Sequence, residues 1–528
     1  MKFESYAIIS FSDHHRVVPA NQIGGCFYIS SSPIQTPFQE GISYGGGRGA
    51  FSEVSCRGDD IVVTPDFLGS RLIFTFQGQG AAIVSNSISY LISAMKLCGV
   101  PVAIDHVALG TTFVMGNLQI EDLPIKGAKL LPIASKASLA RGRVTIKSQR
   151  SFSDALVSKQ TLKHRAIDEV LSNVRSVAAR DENPLLMEMT GGLDSRVAFA
   201  AAMGAGLRDR IDFATRGKSI EPDRLIAERV AHAFDIEMVA RPYNEETVSV
   251  ERLIETGQHV AGVRWLDDVA FRMIGFTSGF TALTGALGET FRNYYCEVLY
   301  YKKGLRNAYF NMPMNEEKAD DFCNFFGNRL SFLADPQAAK DRLKRQLLKG
   351  RETVGQTYFR QYTGFRNRIH YGGATAARGS VFVSADPLYT ISGYLLAERM
   401  DPEWQLFGEL AFELIDEFFP ALNSFPLAEK EVAPRFLESK AGRRSILSGK
   451  PMQGIKPRAG IPNVNKFQVV AKPHTDTGAE LVERSLASGK LDGLVNSSFK
   501  EEYSRQSDNW KRWAHKSLIS PAVLTELA

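Results

Sequence analysis

The feature that most constrains the fold of this chain is an alternation of strand-like and helix-like segments between residues 185 and 283. Four short apolar runs have the length and composition of strands: Leu185–Met189, Arg210–Thr215, Glu237–Ala240 and Phe280–Leu283. Between them lie an Ala-rich helical segment, Val197–Met203, and an amphipathic helical pattern after Asp223. Repeated βα units predict a parallel sheet covered by helices, in which ligands bind at the carboxyl ends of the strands.

The residues on either side have a different character. In the first 150 residues, β-branched or aromatic runs separated by Gly, Pro, Asn and Asp predict strands at Ile61–Val63, Arg71–Phe76, Ala81–Val84 and Val144–Ile146. A helical pattern covers residues 154–179, and the chain beyond about residue 300 is mostly helical, apart from a basic stretch at 440–463. We therefore predict one domain over residues 1–152 and a second over residues 153–528.

Two glycine-containing stretches match nucleotide-binding motifs only formally. Gly45–Ala50 matches GxGxxA, but it has neither a predicted strand before it nor a helix after it, so we expect a flexible loop. Gly217-Lys218-Ser219 ends like a Walker loop, yet Asp212 stands where that motif requires glycine. Neither stretch predicts a nucleotide site.

The motif that carries chemistry is MTGGLDS, Met189–Ser195, between the first predicted strand and the helix that follows it. Its glycines let the backbone approach an anion closely, and the hydroxyls of Thr190 and Ser195 join the helix N-terminus at the same place. Asp194 suits an anion that carries Mg²⁺. The structural alternative is a Gly-Gly turn capped by Asp or Ser. GGxDS arises by chance in on the order of one in a hundred chains this long, so we favour the anion-binding loop.

Composition narrows the classes of protein. The net charge of +5 over 528 residues, without dense Lys/Arg blocks, gives little support to nucleic-acid binding. No apolar run reaches the roughly 18 residues of a membrane span, and the first residues lack a signal-peptide pattern. Five widely spaced cysteines argue against a disulfide framework or a zinc site. These features predict a cytoplasmic protein.

TGGLDS resembles the SGGxDS pyrophosphate loop of the ATP-pyrophosphatases, and its neighbours resemble the asparagine synthetase branch. Thr284–Glu289 is similar to the family's SGxGxDE loop, and Asp386-Pro387-Leu388 to its PFLD segment. Upstream, Asp66–Arg71 and Ile83–Asn86 are similar to the core of the family's glutaminase domain. The resemblance implies an α/β protein, with an N-terminal Ntn-hydrolase-like αββα sandwich followed by a PP-loop ATP-pyrophosphatase domain that has a helical C-terminal extension.

Enzymes of this family join a carboxylate to the AMP of ATP, release pyrophosphate, and let an amine displace AMP to form an amide. The resemblance implies that the TGGLDS loop holds pyrophosphate through Thr190, Gly191, Gly192, Leu193, Asp194 and Ser195. It implies adenosine and ribose contacts from the backbone at Met189, Arg216, Thr284 and Gly285. ATP and Mg²⁺ are the implied cofactors, with Asp194 and Glu289 as metal ligands and Glu289 also among the catalytic candidates.

Two further assignments come from the resemblance. The family uses a late lysine to stabilise the acyl-transfer transition state, and Lys440 and Lys450 are the candidates here, with Lys450 preferred. Three residues that follow Thr284–Glu289 are candidates for the acceptor pocket: Arg292, Tyr294 and Tyr295. Aromatic packing explains the two tyrosines equally well.

One part of the family pattern is missing. The family's glutaminase uses a cysteine at the mature N-terminus, which supplies both a thiol and a free α-amine. No cysteine follows Met1 here, and Cys26 would serve only after cleavage behind Gly25, so we interpret Cys26 as a packed, small apolar residue. His14 and His15 have no partner thiol in this pattern. We therefore expect a glutaminase-like domain that has lost its nucleophile.

β-Lactam synthetases and lasso-peptide macrolactam synthetases share this plan and also lack the cysteine. The resemblance implies an ATP-dependent carbon–nitrogen ligase that forms an amide or macrolactam without glutamine hydrolysis. Its partners would be a carboxylate and an amine acceptor, each a small molecule or a peptide, and another protein could deliver the substrate. We expect neither a membrane nor a nucleic acid as a partner. Three alternatives stay open: an asparagine synthetase-like enzyme using free or partner-supplied ammonia, a tRNA-modifying ATP-pyrophosphatase, and an inactive scaffold or binding protein. Thr190, Arg196 and the GxxGE loop depart from the synthetases' motifs, so the substrate is not inherited from them.

Overall fold

The computed structural model describes residues 5–12, 19–23, 25–32, 34–151, 156–180, 185–215, 222–238, 249–265, 281–327, 329–350, 352–378, 383–406, 408–425, 471–505 and 508–528. Over these residues the chain is a mixed α/β structure with two antiparallel sheets, one parallel sheet and packed helices.

The strands are β1 (Tyr6–Phe11), β2 (Asn21–Ile23), β3 (Cys26–Ser30), β4 (Phe38–Gly45), β5 (Arg48–Arg57), β6 (Asp60–Pro65), β7 (Phe74–Gly78), β8 (Ala81–Ser85), β9 (Ala128–Leu130), β10 (Ser135–Ala140), β11 (Arg143–Ser148), β12 (Leu185–Glu188), β13 (Ile211–Ala214), β14 (Thr281–Leu283) and β15 (Val383–Ala385).

The described α-helices are α1 (Ile88–Leu97), α2 (His106–Met115), α3 (Lys159–Arg180), α4 (Leu193–Gly204), α5 (Pro222–Ala233), α6 (Val250–Gly257), α7 (Tyr294–Lys303), α8 (Asn307–Phe310), α9 (Glu316–Phe326), α10 (Pro336–Leu347), α11 (Val354–Gln361), α12 (Arg368–Arg378), α13 (Ile391–Arg399), α14 (Pro402–Leu406), α15 (Glu409–Phe418), α16 (Ala471–Ala487), α17 (Ser497–Arg505) and α18 (Asp508–Leu527). A π-helical stretch, Tyr362–Asn367, joins α11 to α12. Short 3₁₀ turns lie at Arg208–Arg210, Gln258–Val260, Gly288–Phe291, Leu330–Phe332 and Pro420–Ser424.

The two antiparallel sheets stack face to face in the N-terminal region, by which we mean the part of the chain from β1 to β11, residues 6–148. One has the order β2-β3-β1-β8-β7-β9 and the other the order β11-β10-β6-β5-β4. Because side chains alternate along a strand, Tyr6 and Ile8 of β1 enter the core between the sheets with Val63 of β6. Ala7 and Ile9 pack on the opposite face, in a core that includes residues of α1 and α2. The N-terminal region is therefore layered, and its strands agree with the β-rich character that the sequence predicts.

The stretch Gly45–Ala50 is a hairpin, and the prediction of a flexible loop is wrong. β4 continues to Gly45, which pairs with Arg48 at the start of β5. Gly46 and Gly47 form the turn with φ of +61° and +80°. A two-residue hairpin turn with two positive φ values favours glycine, so the glycines mark a tight turn.

The parallel sheet has the order β13-β12-β14-β15. Leu185 pairs with both Ile211 and Thr281, and Thr281 pairs with Val383. The predicted parallel sheet with covering helices is confirmed, since β12, β13 and β14 coincide with three of the predicted strands and α4 and α5 with the predicted helices. Helix α3 confirms the helical pattern that precedes them.

Three predictions about strands differ from the structure. Over its described residues, Glu237–Ala240 forms an isolated bridge, between Phe213 and Met238, instead of a strand. The fourth strand of the sheet, β15, lies in the region predicted to be mostly helical. The sequence did not predict it, because three residues are too few to show a period. β7 begins at Phe74, three residues after the predicted start at Arg71, because the N–H of Arg71 bonds to a side chain of the preceding turn.

None of the five cysteines, all of which lie in described residues, forms a disulfide bond. Cys26 is 1% exposed in the core between the two antiparallel sheets, as expected for a packed residue, and burial raises the pKa of its thiol to about 11. His14 and His15 lie outside the described residues. None of the described helices is both long and apolar enough to cross a membrane.

Candidate functional site

Three loops of the candidate site lie at one edge of the parallel sheet. Thr190–Ser195, the first loop, follows β12, and Thr284–Glu289, the second loop, follows β14. Asp386, which directly follows β15, begins the third loop. Because these neighbouring strands are parallel, their carboxyl ends share the edge at which α/β proteins bind ligands. The structure thus brings the predicted residues of the first and second loops together.

The first loop is organised by its own hydroxyl groups. Thr190 Oγ1 lies 2.9 Å from Ser195 Oγ and accepts a hydrogen bond from the N–H of Gly192 at 3.1 Å. Ser195 Oγ also donates to the carbonyl oxygen of Gly192 at 3.1 Å. Gly192 is the N-cap of α4, so no N-cap side chain covers the N–H groups of the first helical turn. Hydroxyls and the positive end of a helix are thereby combined, which favours an anion.

The second loop packs on the first loop through two glycines. A Cβ atom on Gly285 would lie 2.7 Å from the N atom of Ser195, and one on Gly288 would lie 2.8 Å from Cγ of Asp194. Real Cβ atoms do not approach so closely, so glycine suits both positions. Leu287 stands at the second glycine of the SGxGxDE pattern and has a φ of +67°, in the left-handed region that glycine favours. The second loop thus has a left-handed backbone at a residue that is not glycine.

Asp194 forms an ion pair within the site. Arg292 Nη2 lies 3.1 Å from Asp194 Oδ2, and the two side chains are 15% and 21% exposed. Asp194 lies in the first turn of α4, where the helix dipole stabilises negative charge. A Cβ atom on Gly408 would lie 3.4 Å from Cδ of Arg292, so the arginine side chain passes close to this glycine. The first loop therefore has a cation beside its acidic residue.

Glu289, the predicted second metal ligand, is bonded to a buried tyrosine. The hydroxyl of Tyr362, in the π-helical stretch, donates to Glu289 Oε2. Burial, with the nearby carboxylate, raises the pKa of Tyr362 well above its usual range, so this hydroxyl stays protonated. The Tyr362 ring stacks on Tyr294 at a centroid distance of 5.6 Å, and the guanidinium of Arg366 lies 4.5 Å from the Tyr294 ring. The carboxylate of the second loop thus has a fixed hydrogen-bond donor.

Asp386 connects the third loop to the second loop, a role that the sequence did not predict. Asp386 is 1% exposed, and its carboxylate accepts hydrogen bonds from Thr284 Oγ1 and from the hydroxyl of Tyr371. Thr284 Oγ1 accepts in turn from the N–H of Ala286 at 3.1 Å. The N–H of Asp386 donates to the hydroxyl of Tyr44, at the end of β4, at 2.7 Å. The only sequence signal was the similarity of Asp386-Pro387-Leu388 to the PFLD segment.

Of the residues predicted for an acceptor pocket, Tyr295 belongs to the core. It is 1% exposed, and its ring lies 5.0 Å from Phe322 and 4.7 Å from Phe326. Its hydroxyl donates to Gln119 Oε1 at 2.9 Å. Aromatic packing accounts for Tyr295, whereas Tyr294 is half-buried in the ring stack beside the second loop.

The remaining predicted residues fall into two groups. Met189 is buried, and its N–H donates to the carbonyl oxygen of Ala214, at the end of the neighbouring strand β13, at 2.8 Å. Arg216, Lys440 and Lys450 lie outside the described residues.

The donor groups suit Mg²⁺ that is bound together with phosphate. Across the described ranges, no group of three or more His, Cys, Asp or Glu side chains is placed to hold a metal ion. Mg²⁺ is commonly held by one or two carboxylates and by substrate phosphates, without an all-protein cage. Asp194 provides a carboxylate of this kind, and the same loop carries the hydroxyls of Thr190 and Ser195, which can donate to phosphate. The first loop therefore fits a magnesium–phosphate group better than a bare metal ion.

Comparison with protein-family models gives no match to the chain, and comparison with curated proteins gives none.

Proposed function

We propose that this protein is an ATP-dependent amide synthetase that adenylates a carboxylate and transfers the acyl group to an amine, without glutamine hydrolysis. In this proposal the antiparallel sheets form an Ntn-hydrolase-like sandwich, and the parallel sheet belongs to a PP-loop domain. The observation that carries it is the close packing of Gly285 and Gly288 against Ser195 and Asp194. A simple capped turn needs no such neighbour, whereas an ATP site uses both a phosphate-binding loop and an acidic loop beside it.

The proposed reaction has two steps. A carboxylate oxygen of the substrate attacks the α-phosphorus of ATP, and the bond from that phosphorus to the bridging oxygen breaks to release pyrophosphate. The amine then attacks the acyl carbon, the acyl–oxygen bond breaks, AMP leaves, and the nitrogen loses a proton. The first step requires that charge on the departing pyrophosphate be neutralised.

The chain has several groups for that neutralisation. The N–H groups at the start of α4 and the hydroxyls of Thr190 and Ser195 would donate to phosphate oxygens. Mg²⁺, when bound, would neutralise phosphate charge and orient the leaving group. Asp194 would hold this ion, and Glu289 is the acidic residue of the adjacent loop. Asp194 must first leave its ion pair with Arg292, whose guanidinium would then bind the phosphate oxygens.

The surroundings of Cys26 support a reaction that does not use glutamine. Nucleophilic attack requires a thiolate, but Cys26 is buried and its pKa is raised to about 11. The amine would then come from the substrate itself or from free ammonia.

The decisive experiment is carboxylate-dependent exchange of labelled pyrophosphate into ATP, measured across amino acids, small carboxylic acids and peptides. We expect exchange with at least one carboxylate, and we expect Asp194→Asn to abolish it. Glu352→Gln is a matched control, because it also turns a carboxylate paired with an arginine, Arg360, into an amide, outside the three loops. Exchange that survives in Asp194→Asn would contradict the assignment of the first loop. Absence of exchange with every carboxylate would favour the inactive scaffold.

Two product measurements separate the remaining alternatives. Incubation with glutamine should release no glutamate above background, and measurable release would contradict a lost nucleophile. With an active carboxylate in hand, mass spectrometry of the product distinguishes an amide formed with an organic amine from one formed with ammonia.

A further inference from the structure

We propose that the N-terminal region is a working part of the nucleotide site, because Tyr44 and Asp66 position the segment Asp386–Tyr389. The proposal rests on the proposed function. It assigns the N-terminal region a positioning role instead of a catalytic one. We refer to Asp386–Tyr389 as the 386–389 segment.

Tyr44 holds the first residue of the 386–389 segment. It is 6% exposed, and its hydroxyl accepts the hydrogen bond from the N–H of Asp386 at 2.7 Å. Asp386 in turn accepts a hydrogen bond from Thr284 of the second loop. The hairpin that carries Tyr44 is itself anchored, since Arg48 Nη1 donates to the carbonyl oxygen of Glu169 in α3 at 3.1 Å. One chain of bonded groups therefore connects the N-terminal hairpin to the second loop.

Asp66 holds the last residue of the segment. The hydroxyl of Tyr389 donates to Asp66 Oδ1 at 2.7 Å and accepts from the N–H of Leu68 at 2.7 Å. The carboxylate of Asp66 also accepts from the N–H groups of Ser70 and Arg71 at 2.8 and 2.7 Å. These bonds fix the turn that contacts Tyr389, so the turn can act as a rigid support.

The backbone of the segment is also held by α3. Asn173, which is fully buried, donates through Nδ2 to the carbonyl oxygens of Pro387 at 3.0 Å and Tyr389 at 2.7 Å. The N–H of Asp386 and the hydroxyl of Tyr389 are therefore bonded to the N-terminal region, and two carbonyl oxygens of the segment to a helix. Loss of one end contact would leave the other supports in place, so the segment should shift locally without unfolding of the protein.

The consequence for the reaction follows from Thr284. This residue is expected to contact the nucleotide, and the carboxylate of Asp386 orients its hydroxyl. Removal of the Tyr44 hydroxyl leaves a buried N–H without its partner, which the chain can relieve only by movement of Asp386. Nucleotide binding should then weaken, while the groups that act on pyrophosphate stay in place.

The test compares Tyr44→Phe with Tyr28→Phe. Tyr28 is also buried, and its hydroxyl accepts from the N–H of Ile34 at 3.3 Å, within the N-terminal region alone. In Tyr44→Phe, amide hydrogen exchange in peptides over 383–389 and 281–289 should speed up about 10-fold, with β1 unchanged. The KM for ATP in pyrophosphate exchange should rise roughly 3- to 10-fold, with kcat within about twofold of wild type. Tyr28→Phe should leave these quantities as in the wild type.

Unchanged hydrogen exchange in both segments would overturn the proposal, as would an acceleration spread evenly over β1 and the rest of the chain. If Tyr44→Phe does not fold, Tyr389→Phe removes the contact with Asp66, and the same measurements decide. If the wild type shows no pyrophosphate exchange, the proposed function fails. The hydrogen-exchange comparison would still decide whether Tyr44 positions the 386–389 segment.

Discussion

The guanidinium of Arg292 lies 3.1 Å from the carboxylate of Asp194, in the first turn of the helix that follows the first loop. With exposures of 15% and 21%, the two side chains are less screened by solvent than a surface pair. Bound phosphate would be a better partner for Arg292 than Asp194 is, and Mg²⁺ a better partner for Asp194 than Arg292 is. The pair therefore suits a site that exchanges an internal ion pair for a bound magnesium–phosphate group.

Arg292→Gln removes the cation and should slow pyrophosphate exchange by roughly 10- to 100-fold. It should also lower the free energy of unfolding by about 1–2 kcal/mol, because Asp194 loses its charged partner. Arg292→Lys keeps the charge but not the planar fork, so its exchange rate should be intermediate. Arg360→Gln is the control for loss of an arginine. A wild-type exchange rate in Arg292→Gln would show that this cation does not act on phosphate.

Glu289 and Tyr362 should be energetically coupled. Tyr362→Phe leaves the carboxylate without its donor and should lower the free energy of unfolding by about 1–2 kcal/mol. Glu289→Gln should raise the Mg²⁺ concentration needed for half-maximal exchange by about 10-fold or more, because a neutral amide binds Mg²⁺ poorly. Urea unfolding of Tyr362→Phe, Glu289→Ala and their double variant should give a coupling energy of about 1 kcal/mol, because alanine, unlike glutamine, removes the hydrogen-bond acceptor. Additive effects would mean that the hydrogen bond contributes little.

The parts of the site that the sequence predicted are those with local determinants. The apolar runs of β12 and β14 and the glycines after them define both the strands and the loops that follow, so their meeting at one sheet edge could be expected. The contact between Tyr44 and Asp386 joins residues 342 positions apart, which no local pattern reveals. β15 is three residues long, and its place in the sheet depends on pairing with β14. Tyr362, which donates to Glu289, lies in a π-helical stretch, and no sequence period predicts such a stretch.

His259 should make the protein less stable in mild acid. Its Nδ1 lies 2.9 Å from Ser87 Oγ, and burial, with a smaller effect of nearby Arg71, lowers its pKa to about 4. The unfolded chain takes up a proton near pH 6.5, whereas the folded ring stays neutral down to about pH 4. The stabilising contribution is thus complete above pH 6.5 and is lost as the pH falls towards 4.

Urea unfolding should show this difference between pH 7 and pH 5. The wild type should lose about 1–2 kcal/mol more than His259→Asn over that interval, because the variant has no ring to protonate in the unfolded state. Equal losses in the two proteins would mean that other groups set the acid sensitivity.

Gly285 provides the most direct test of the packing between the first and second loops. A Cβ atom there would lie 2.7 Å from the N atom of Ser195 and 2.8 Å from the carbonyl carbon of Asp194. Both are backbone atoms, so no rotation of a side chain relieves the clash. At Gly288 the atoms met are Cβ, Cγ and Oδ1 of Asp194, each at 2.8 Å. Rotation about χ1 can move Cγ and Oδ1 away, but Cβ moves only with the backbone of α4.

Gly285→Ala should therefore separate the two loops and reduce pyrophosphate exchange by about 100-fold or more, since small displacements of reacting groups are costly. Its free energy of unfolding should fall by about 1–3 kcal/mol. Gly288→Ala should also lower the free energy of unfolding and impair exchange, because the displaced carboxylate is the one proposed to hold Mg²⁺. Gly364→Ala is the control, since a Cβ atom there meets nothing within 4 Å. If Gly285→Ala matched Gly364→Ala in both exchange and stability, contact between the loops would not be what builds the site.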